Sequence, residues 1–311
     1  MIGFIYLIVG VLLLYYGAEY LIKGGSSIAL AAGVKKIVIG LTVVAFGTSL
    51  PEFVVSFFSA LKKVDSVCVG NVIGSNIINI LLVLGIASII RPINSSRRVI
   101  TLDIPFLLFL TLLFIFISRD GKLSRIDGVI LFAIFLTYMI YILSRRKSEN
   151  LADIDHNTKG NTLKYIIFTM GGLLGLIIGG NFTVRGAVKV AQLFGIPELF
   201  IGLTIVALGT SLPELFTSIL AIIRKEQDIS LGNIIGSNLF NIAFILGFIA
   251  IFNPIKVELS VIKFDNLFML SITILLAIFL YTGGKISRFE GIIFVLIYFL
   301  YVSKLIVEVT G

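Results

Sequence analysis

Residues 39–52 read IGLTVVAFGTSLPE, and residues 201–214 read IGLTIVALGTSLPE. Twelve of the 14 positions are identical at a constant offset of 162 residues, so the chain carries an internal duplication. Each copy ends in a Pro-Glu pair inside a long apolar run. Because proline lacks an N–H and clashes with the preceding turn, the pattern predicts a helix that breaks or kinks beside the acid.

Glu52 and Glu214 lie near the middle of hydrophobic segments that are long enough to cross a bilayer. A charged side chain at the bilayer centre costs about 3 kcal/mol on insertion scales, so an acid there usually faces a cavity or an ion path. The alternative is an acid neutralised by a buried Lys or Arg. Neither span contains a basic residue, which favours the ion path.

The composition is that of a polytopic membrane protein. The 311 residues are 58% hydrophobic and only 14% charged, and the mean hydropathy is +1.11. The net charge of +8 comes from Lys and Arg in short loops, which argues against nucleic-acid binding. The single Cys68 and the single His156 leave zinc, haem and Ser-His chemistry without their usual groups, so we expect neither a cofactor nor an enzyme.

Ten apolar segments of about 20 residues, the length that spans a bilayer, fall into two groups of five. We therefore predict an all-α membrane protein with a first five-helix repeat in residues 1–145, a linker in residues 146–162 and a second repeat in residues 163–311. The predicted spans are 2–22, 37–61, 67–90, 100–118 and 126–144, then 163–184, 199–223, 229–252, 264–282 and 289–308.

The duplication extends well beyond the first motif. GNVIGSNIINI at 70–80 matches GNIIGSNLFNI at 232–242, and GKLSRIDG at 121–128 matches GKISRFEG at 284–291. An odd number of spans per repeat places the second repeat upside down in the membrane. Inverted repeats with interrupted helices at matching positions are typical of transporters whose binding site lies at the midplane.

The loops indicate an orientation. Loops on the side that includes the linker carry 15 of the 25 Lys and Arg residues, and the opposite side carries 10. The positive-inside rule then predicts a cytoplasmic linker and two extracellular termini. We expect a monomer in the plasma membrane whose partners are the lipid bilayer and the ions it binds.

The repeated motifs offer oxygen atoms as ligands. Ala45, Thr48, Ser49 and Glu52 are spaced i, i+3, i+4 and i+7, so they share one helix face. The matching residues in the second repeat are Ala207, Thr210, Ser211 and Glu214, and the next spans carry Ser75 with Asn79 and Ser237 with Asn241. Carboxylate, hydroxyl, amide and carbonyl oxygens suit hard cations, of which calcium accepts an adaptable site while magnesium demands a tight octahedron. Without nitrogen or sulfur ligands, soft transition metals are disfavoured.

A simpler explanation applies to the small residues of these motifs. Gly, Ala, Ser and Thr allow membrane helices to approach closely, so packing alone accounts for Gly40, Gly47, Gly70 and Gly74. For Asn71 and Asn233, we expect contacts with backbone freed at the helix break. The two glutamates differ, because packing does not require a charge.

The paired G-T-S-x-P-E and G-N-x-x-G-S-N-x-x-N motifs resemble the alpha repeats of the cation/calcium antiporter superfamily, specifically its prokaryotic sodium/calcium exchangers. The resemblance covers essentially the whole chain. It implies ten helices that exchange sodium for calcium by alternating access, with the first and sixth helices sliding across a fixed core. It also implies these ion ligands: Glu52, Glu214, Thr48, Ser49, Thr210, Ser211, Ser75, Ser237, Asn79, Asn241 and the carbonyls of Ala45 and Ala207. Asn241 departs from relatives that carry Asp there, which argues against any potassium or proton site needing a third carboxylate.

Three other functions remain open on the sequence. A calcium/proton exchanger would load protons on the two glutamates in place of sodium. An intramembrane hydrolase would use them as an acid/base pair, but equivalent environments give no reason for different pKa values. A channel is the third, although inverted repeats favour alternating access.

Overall fold

The computed structural model describes residues 2–144, 162–194, 207–258 and 264–310. The predicted linker at 146–162 therefore lies outside the described residues, apart from Thr162. The helices of the first half are α1 Ile2–Ala31, α2 Lys36–Thr48, α3 Leu50–Leu61, α4 Asp65–Ile90, α5 Val99–Asp120 and α6 Arg125–Ser144. Those of the second half are α7 Thr162–Leu193, α8 Ala207–Thr210, α9 Leu212–Ile223, α10 Gln227–Phe252, α11 Asn266–Gly283 and α12 Arg288–Thr310.

Among the described residues, eight helices are long and apolar enough to cross a membrane, and the α2–α3 pair makes a ninth if it counts as one bent span. The predicted span 199–223 begins outside the described residues. Helices α1 and α7 both continue nine residues, about two and a half turns, past the predicted spans, which end near residues 22 and 184. In α1, Glu19 and Lys23 form an ion pair one turn apart near the predicted end, so these charged residues are accommodated within the helix.

The helix breaks that Pro51 and Pro213 predict are present. Helices α2 and α3 meet at 45°, and α8 and α9 are separated at the equivalent residue. The break falls at Ser49, with φ −85° and ψ 5°, and at Ser211, with φ −88° and ψ 5°. The two repeats therefore share a backbone conformation as well as a sequence at this point.

Helices α1 and α7 pack closely along their length. A methyl group added at Gly10 or Gly17 would lie 2.9 Å from the carbonyl oxygen of Gly179 or Gly172, respectively. Residues later in α1 contact residues earlier in α7: Gly3 lies against Gly186, and Gly24 lies against Tyr165. The two helices are therefore antiparallel, with glycines at every seventh position of α1 bringing the backbones together.

Helices α4 and α10 form the centre of the described structure. In the most apolar stretch of α4, 72% of the residues are buried, and in that of α10, 83% are buried. In the other spanning helices the share is 17–39%. Both contain a wider π-helical turn, at Asn79–Val83 in α4 and at Phe240–Leu246 in α10. Such turns often accompany functional sites, because they rotate the following side chains relative to a regular helix.

Two short antiparallel sheets connect the halves. Strand β1 (Ile93–Asn94) pairs with β4 (Lys285–Ile286), and β2 (Lys122–Leu123) pairs with β3 (Ile255–Lys256). Each sheet thus takes one strand from each repeat.

Two acids at equivalent positions of the repeats each accept a hydrogen bond from a tyrosine. Asp103 is fully buried and accepts a hydrogen bond from Tyr138 Oη at 2.9 Å. Asp265, at the equivalent position, accepts one from Tyr301 Oη at 3.1 Å. The two repeats therefore share a tyrosine–aspartate contact, between residues 35 positions apart in the first repeat and 36 in the second.

Candidate functional site

Glu52 and Glu214 occupy equivalent places at the start of two helices. Each lies in the first turn, of α3 and α9 respectively, directly after a proline. Their side chains are 0% and 1% exposed. The first turn of a helix presents unpaired N–H groups and a partial positive charge, so it is a favourable place for a carboxylate.

Each carboxylate is held by serines from both repeats. Glu52 Oε1 accepts hydrogen bonds from Ser211 Oγ at 3.1 Å and from Ser75 Oγ at 3.4 Å. Glu214 Oε1 accepts from Ser49 Oγ at 3.0 Å and from Ser237 Oγ at 3.3 Å. The structure therefore brings together six of the residues that the sequence proposes, and each half of the cluster mirrors the other.

The two threonines contact asparagines of the opposite repeat. Thr48 Oγ1 donates to Asn233 Oδ1 at 3.0 Å, and Thr210 Oγ1 donates to Asn71 Oδ1 at 3.4 Å. Asn71 Nδ2 in turn donates to the backbone carbonyl of Glu52 at 3.1 Å, as expected for an amide beside a helix break. Asn233 Nδ2 instead donates to Ser218 Oγ at 3.1 Å.

The remaining proposed ligands lie on the same elements. The Ala45 carbonyl accepts the Ser49 N–H at 3.0 Å and lies 3.4 Å from Thr48 Oγ1, and Ala207 begins α8. Asn79 and Asn241 are fully buried at the start of the wide turns of α4 and α10, one turn beyond Ser75 and Ser237.

Several buried oxygens of this cluster are unpartnered. They are the second carboxylate oxygens, Glu52 Oε2 and Glu214 Oε2, together with Asn79 Oδ1 and Asn241 Oδ1. Buried polar atoms in proteins are nearly always paired, so a group of free oxygens indicates a place for water or a cation. In the part of the chain that the structure describes, no Lys or Arg forms an ion pair with either glutamate. Neither carboxylate is therefore paired with a basic side chain of the described residues.

Sequence reasoning missed several polar residues around this cluster. Asn76 and Asn238 are almost completely buried between the serine and asparagine positions. Ser56 Oγ accepts a hydrogen bond from Asn71 at 2.9 Å, and Ser218 fills the same role for Asn233. The repeated S-N dipeptide was a signal for Asn76 and Asn238, and the signal for Ser56 was its repetition as Ser218, 162 residues later.

Comparison with known proteins gives a consistent assignment. The chain matches the family described as "Sodium/calcium exchanger protein" over residues 2–144 and 164–307. The chain belongs to the sodium/calcium exchanger family. It is therefore a membrane antiporter of the cation/calcium exchanger superfamily, a transporter class and not an enzyme class.

Relatives of this exchanger cover nearly its whole length. It is 31% identical to sodium/calcium exchanger MaX1 of Methanosarcina acetivorans, covering 96% of both chains. It is 35% identical to inner membrane protein YrbG of Escherichia coli, covering 88% of this chain and 86% of that protein. It also resembles the structure of the sodium-calcium exchanger NCX_Mj soaked with Na⁺ and Ca²⁺, with a TM-score of 0.86, 33% identity and coverage of 97% and 98%.

Proposed function

We propose that this antiporter exchanges sodium for calcium by alternating access and binds both ions in turn at the cluster around Glu52 and Glu214. The observation that carries the proposal is the pair of buried carboxylates, each with one unpartnered oxygen and no basic partner among the described residues. The proposed ligands are the twelve residues that the sequence nominates, with Ala45 and Ala207 contributing carbonyl oxygens. The names of MaX1 and NCX_Mj agree with these ions.

Charge balance favours a divalent ion with oxygen ligands. Two carboxylates neutralise one calcium ion, while the hydroxyl and amide oxygens complete a coordination of six to eight. These groups lie on helices α2, α3, α4, α8, α9 and α10 and at the two helix breaks. A site built from several helices can change its width more easily than a rigid octahedral site can. Sodium is also a hard cation and can use the same oxygens, which makes the two ions competitors.

The architecture supports alternating access. The antiparallel packing of α1 against α7, which are the first helices of the two repeats, is what inverted repeats require. Ten spans, a cytoplasmic linker and extracellular termini follow from the sequence pattern and are part of this proposal. We further propose a monomer in the plasma membrane, in which α1 and α7 slide together across the central helices.

A calcium/proton exchanger is the second candidate. Two buried carboxylates without a basic partner can be neutralised by protons as well as by sodium ions. The hydroxyl and amide oxygens around them favour sodium, because protonation of a carboxylate requires no further ligands.

Calcium uptake into proteoliposomes distinguishes the two candidates. Vesicles loaded with sodium and diluted into sodium-free buffer with ⁴⁵Ca²⁺ should accumulate calcium, whereas vesicles with only a proton gradient should not. Uptake driven equally well by a proton gradient without sodium would identify the protein as a calcium/proton exchanger.

A further inference from the structure

Four buried asparagines lie next to the carboxylates. Asn76 and Asn79 are on α4, and Asn238 and Asn241 are at the equivalent positions of α10, 162 residues later. All four side chains are at most 1% exposed. Because the four amides are buried, the direction in which each amide points depends on the neighbouring protein groups.

Asn76 and Asn241, one asparagine from each helix, form a pair that is connected to Met269 by a chain of hydrogen bonds. Asn76 Nδ2 donates to Met269 Sδ at 3.6 Å, and Asn241 Nδ2 donates to Asn76 Oδ1 at 3.1 Å. A thioether sulfur can only accept, so it selects the nitrogen side of the Asn76 amide. The oxygen of Asn76 then faces Asn241 and selects that amide's nitrogen. Asn241 Oδ1 is left unpartnered on the other side.

The equivalent pair, Asn238 and Asn79, lacks this connection. Leu107 occupies the position equivalent to Met269, and both are 1% exposed. Leucine offers no acceptor, and both amide atoms of Asn238 and of Asn79 are unpartnered. Because Met269 and Leu107 are equally buried, the difference between the two asparagine pairs comes from the sulfur acceptor of Met269 and not from a difference in burial.

We propose that Met269 is a positioning residue which, through Asn76, fixes the Asn241 oxygen in an ion-accepting orientation. This inference rests on the proposed function, in which Asn241 is an ion ligand. The second repeat then supplies an amide oxygen that is oriented before the ion arrives. The Asn79 amide of the first repeat has no such partner and is oriented by the ion itself. A ligand fixed in advance binds more tightly, because binding does not have to order it.

Calcium titration of the purified protein in detergent tests the role of Met269. In Met269→Leu the side chain keeps nearly the same volume, so the fold should persist. We expect calcium to bind about threefold more weakly, the low end of what a neutral hydrogen bond contributes. In an Asn241→Ala background the same substitution should have no further effect on the calcium affinity, because the oriented oxygen is gone.

Leu107→Met is the matched control, since it makes the reverse change at the equivalent and equally buried position. It should leave calcium binding as tight as in the wild type or tighter, because it offers Asn238 an acceptor. Wild-type affinity in Met269→Leu, or a threefold loss that persists in the Asn241→Ala background, would overturn the inference. A wild-type protein that binds no calcium at all would instead overturn the proposed function, and this inference with it.

Discussion

Glu52 and Glu214 are tolerated in an apolar environment because each of them has several weak favourable interactions. A first-turn position, two serine hydroxyls and the nearby helix break all favour a negative charge or a bound cation. None of these groups carries a full positive charge. In the proposed function, the transported ion supplies the balancing charge.

Neutralising either carboxylate should abolish calcium transport without preventing insertion. Glu52→Gln and Glu214→Gln each remove half of the charge that balances the divalent ion, and burial amplifies the loss. We expect ⁴⁵Ca²⁺ uptake in proteoliposomes to fall to background in both variants. Glu258→Gln makes the same change at an exposed position and should transport normally. Wild-type uptake by either buried variant would refute the assignment.

Strontium should replace calcium better than magnesium does. The site is built from flexible side chains on several helices, and magnesium gives up its water shell reluctantly. Competition against ⁴⁵Ca²⁺ uptake measures this selectivity. Inhibition by magnesium at a concentration equal to that of calcium would count against the proposed ligands.

At the residue scale, the sequence predicts the oxygen-bearing side chains but not their orientation. Glu52, Ser75 and Ser211 were identifiable because the motif repeats and because a charge in an apolar span requires a reason. Met269 was not identifiable, since it lies 193 residues from Asn76 and methionine in an apolar helix is ordinary. Long-range pairs of this kind depend on helix packing that local patterns do not encode.

The close contact between α1 and α7 depends on the spacing of glycines along α1. Glycines at residues 3, 10, 17 and 24 recur every seven positions, so they lie along one side of α1. The facing helix approaches closely enough for backbone contact. Close packing of this kind restricts rotation of either helix about its own axis, because a rotation would bring larger side chains into the contact.

Adjacent glycines of α7 provide a matched test of this packing. A methyl group at Gly172 would lie 2.5 Å from the Leu21 nitrogen, whereas one at Gly171 would meet no atom within 4 Å. We expect Gly172→Ala to lower stability by about 1–3 kcal/mol through overpacking. Gly171→Ala should be neutral or stabilising by up to about 1 kcal/mol, since alanine favours helix over glycine. Thermal unfolding in detergent measures both, and equal melting temperatures would contradict the close packing.

The sequence predicts some features of these elements and misses others. The break beside Pro51 follows from the chemistry of proline. The wide turns at Asn79–Val83 and Phe240–Leu246 do not follow from any local sequence pattern. The ion pair between Glu19 and Arg224 does not follow from a local pattern either, because it joins residues 205 positions apart.

Across the whole molecule, the duplication is not perfectly symmetric. Glu19 of α1 pairs with Arg224, and Lys36 pairs with Glu226 at 2.7 Å, so one end of the molecule is held by charges from both repeats. The position equivalent to Glu19 is Asn181, which cannot form such a pair. The two repeats therefore differ in the charges at this position.

The proposed exchange should respond to membrane voltage. With only Glu52 and Glu214 ionised and amides at Asn79 and Asn241, one calcium ion leaves the site near neutral. A cycle that carries more than two sodium ions per calcium moves net charge, at about 2.3 kcal/mol per elementary charge per 100 mV. Sodium-driven calcium flux in proteoliposomes clamped with potassium and valinomycin should change with potential. Flux that is independent of voltage would indicate electroneutral exchange.

The central claim is that sodium and calcium use one set of oxygens in turn, and equilibrium binding tests it most directly. Calcium titrations of the purified protein should be repeated at increasing sodium, with choline replacing sodium to keep the ionic strength constant. We predict that the apparent calcium Kd rises steadily with sodium while the number of calcium ions bound at saturation stays the same. A calcium Kd that is unchanged by sodium would contradict the shared site.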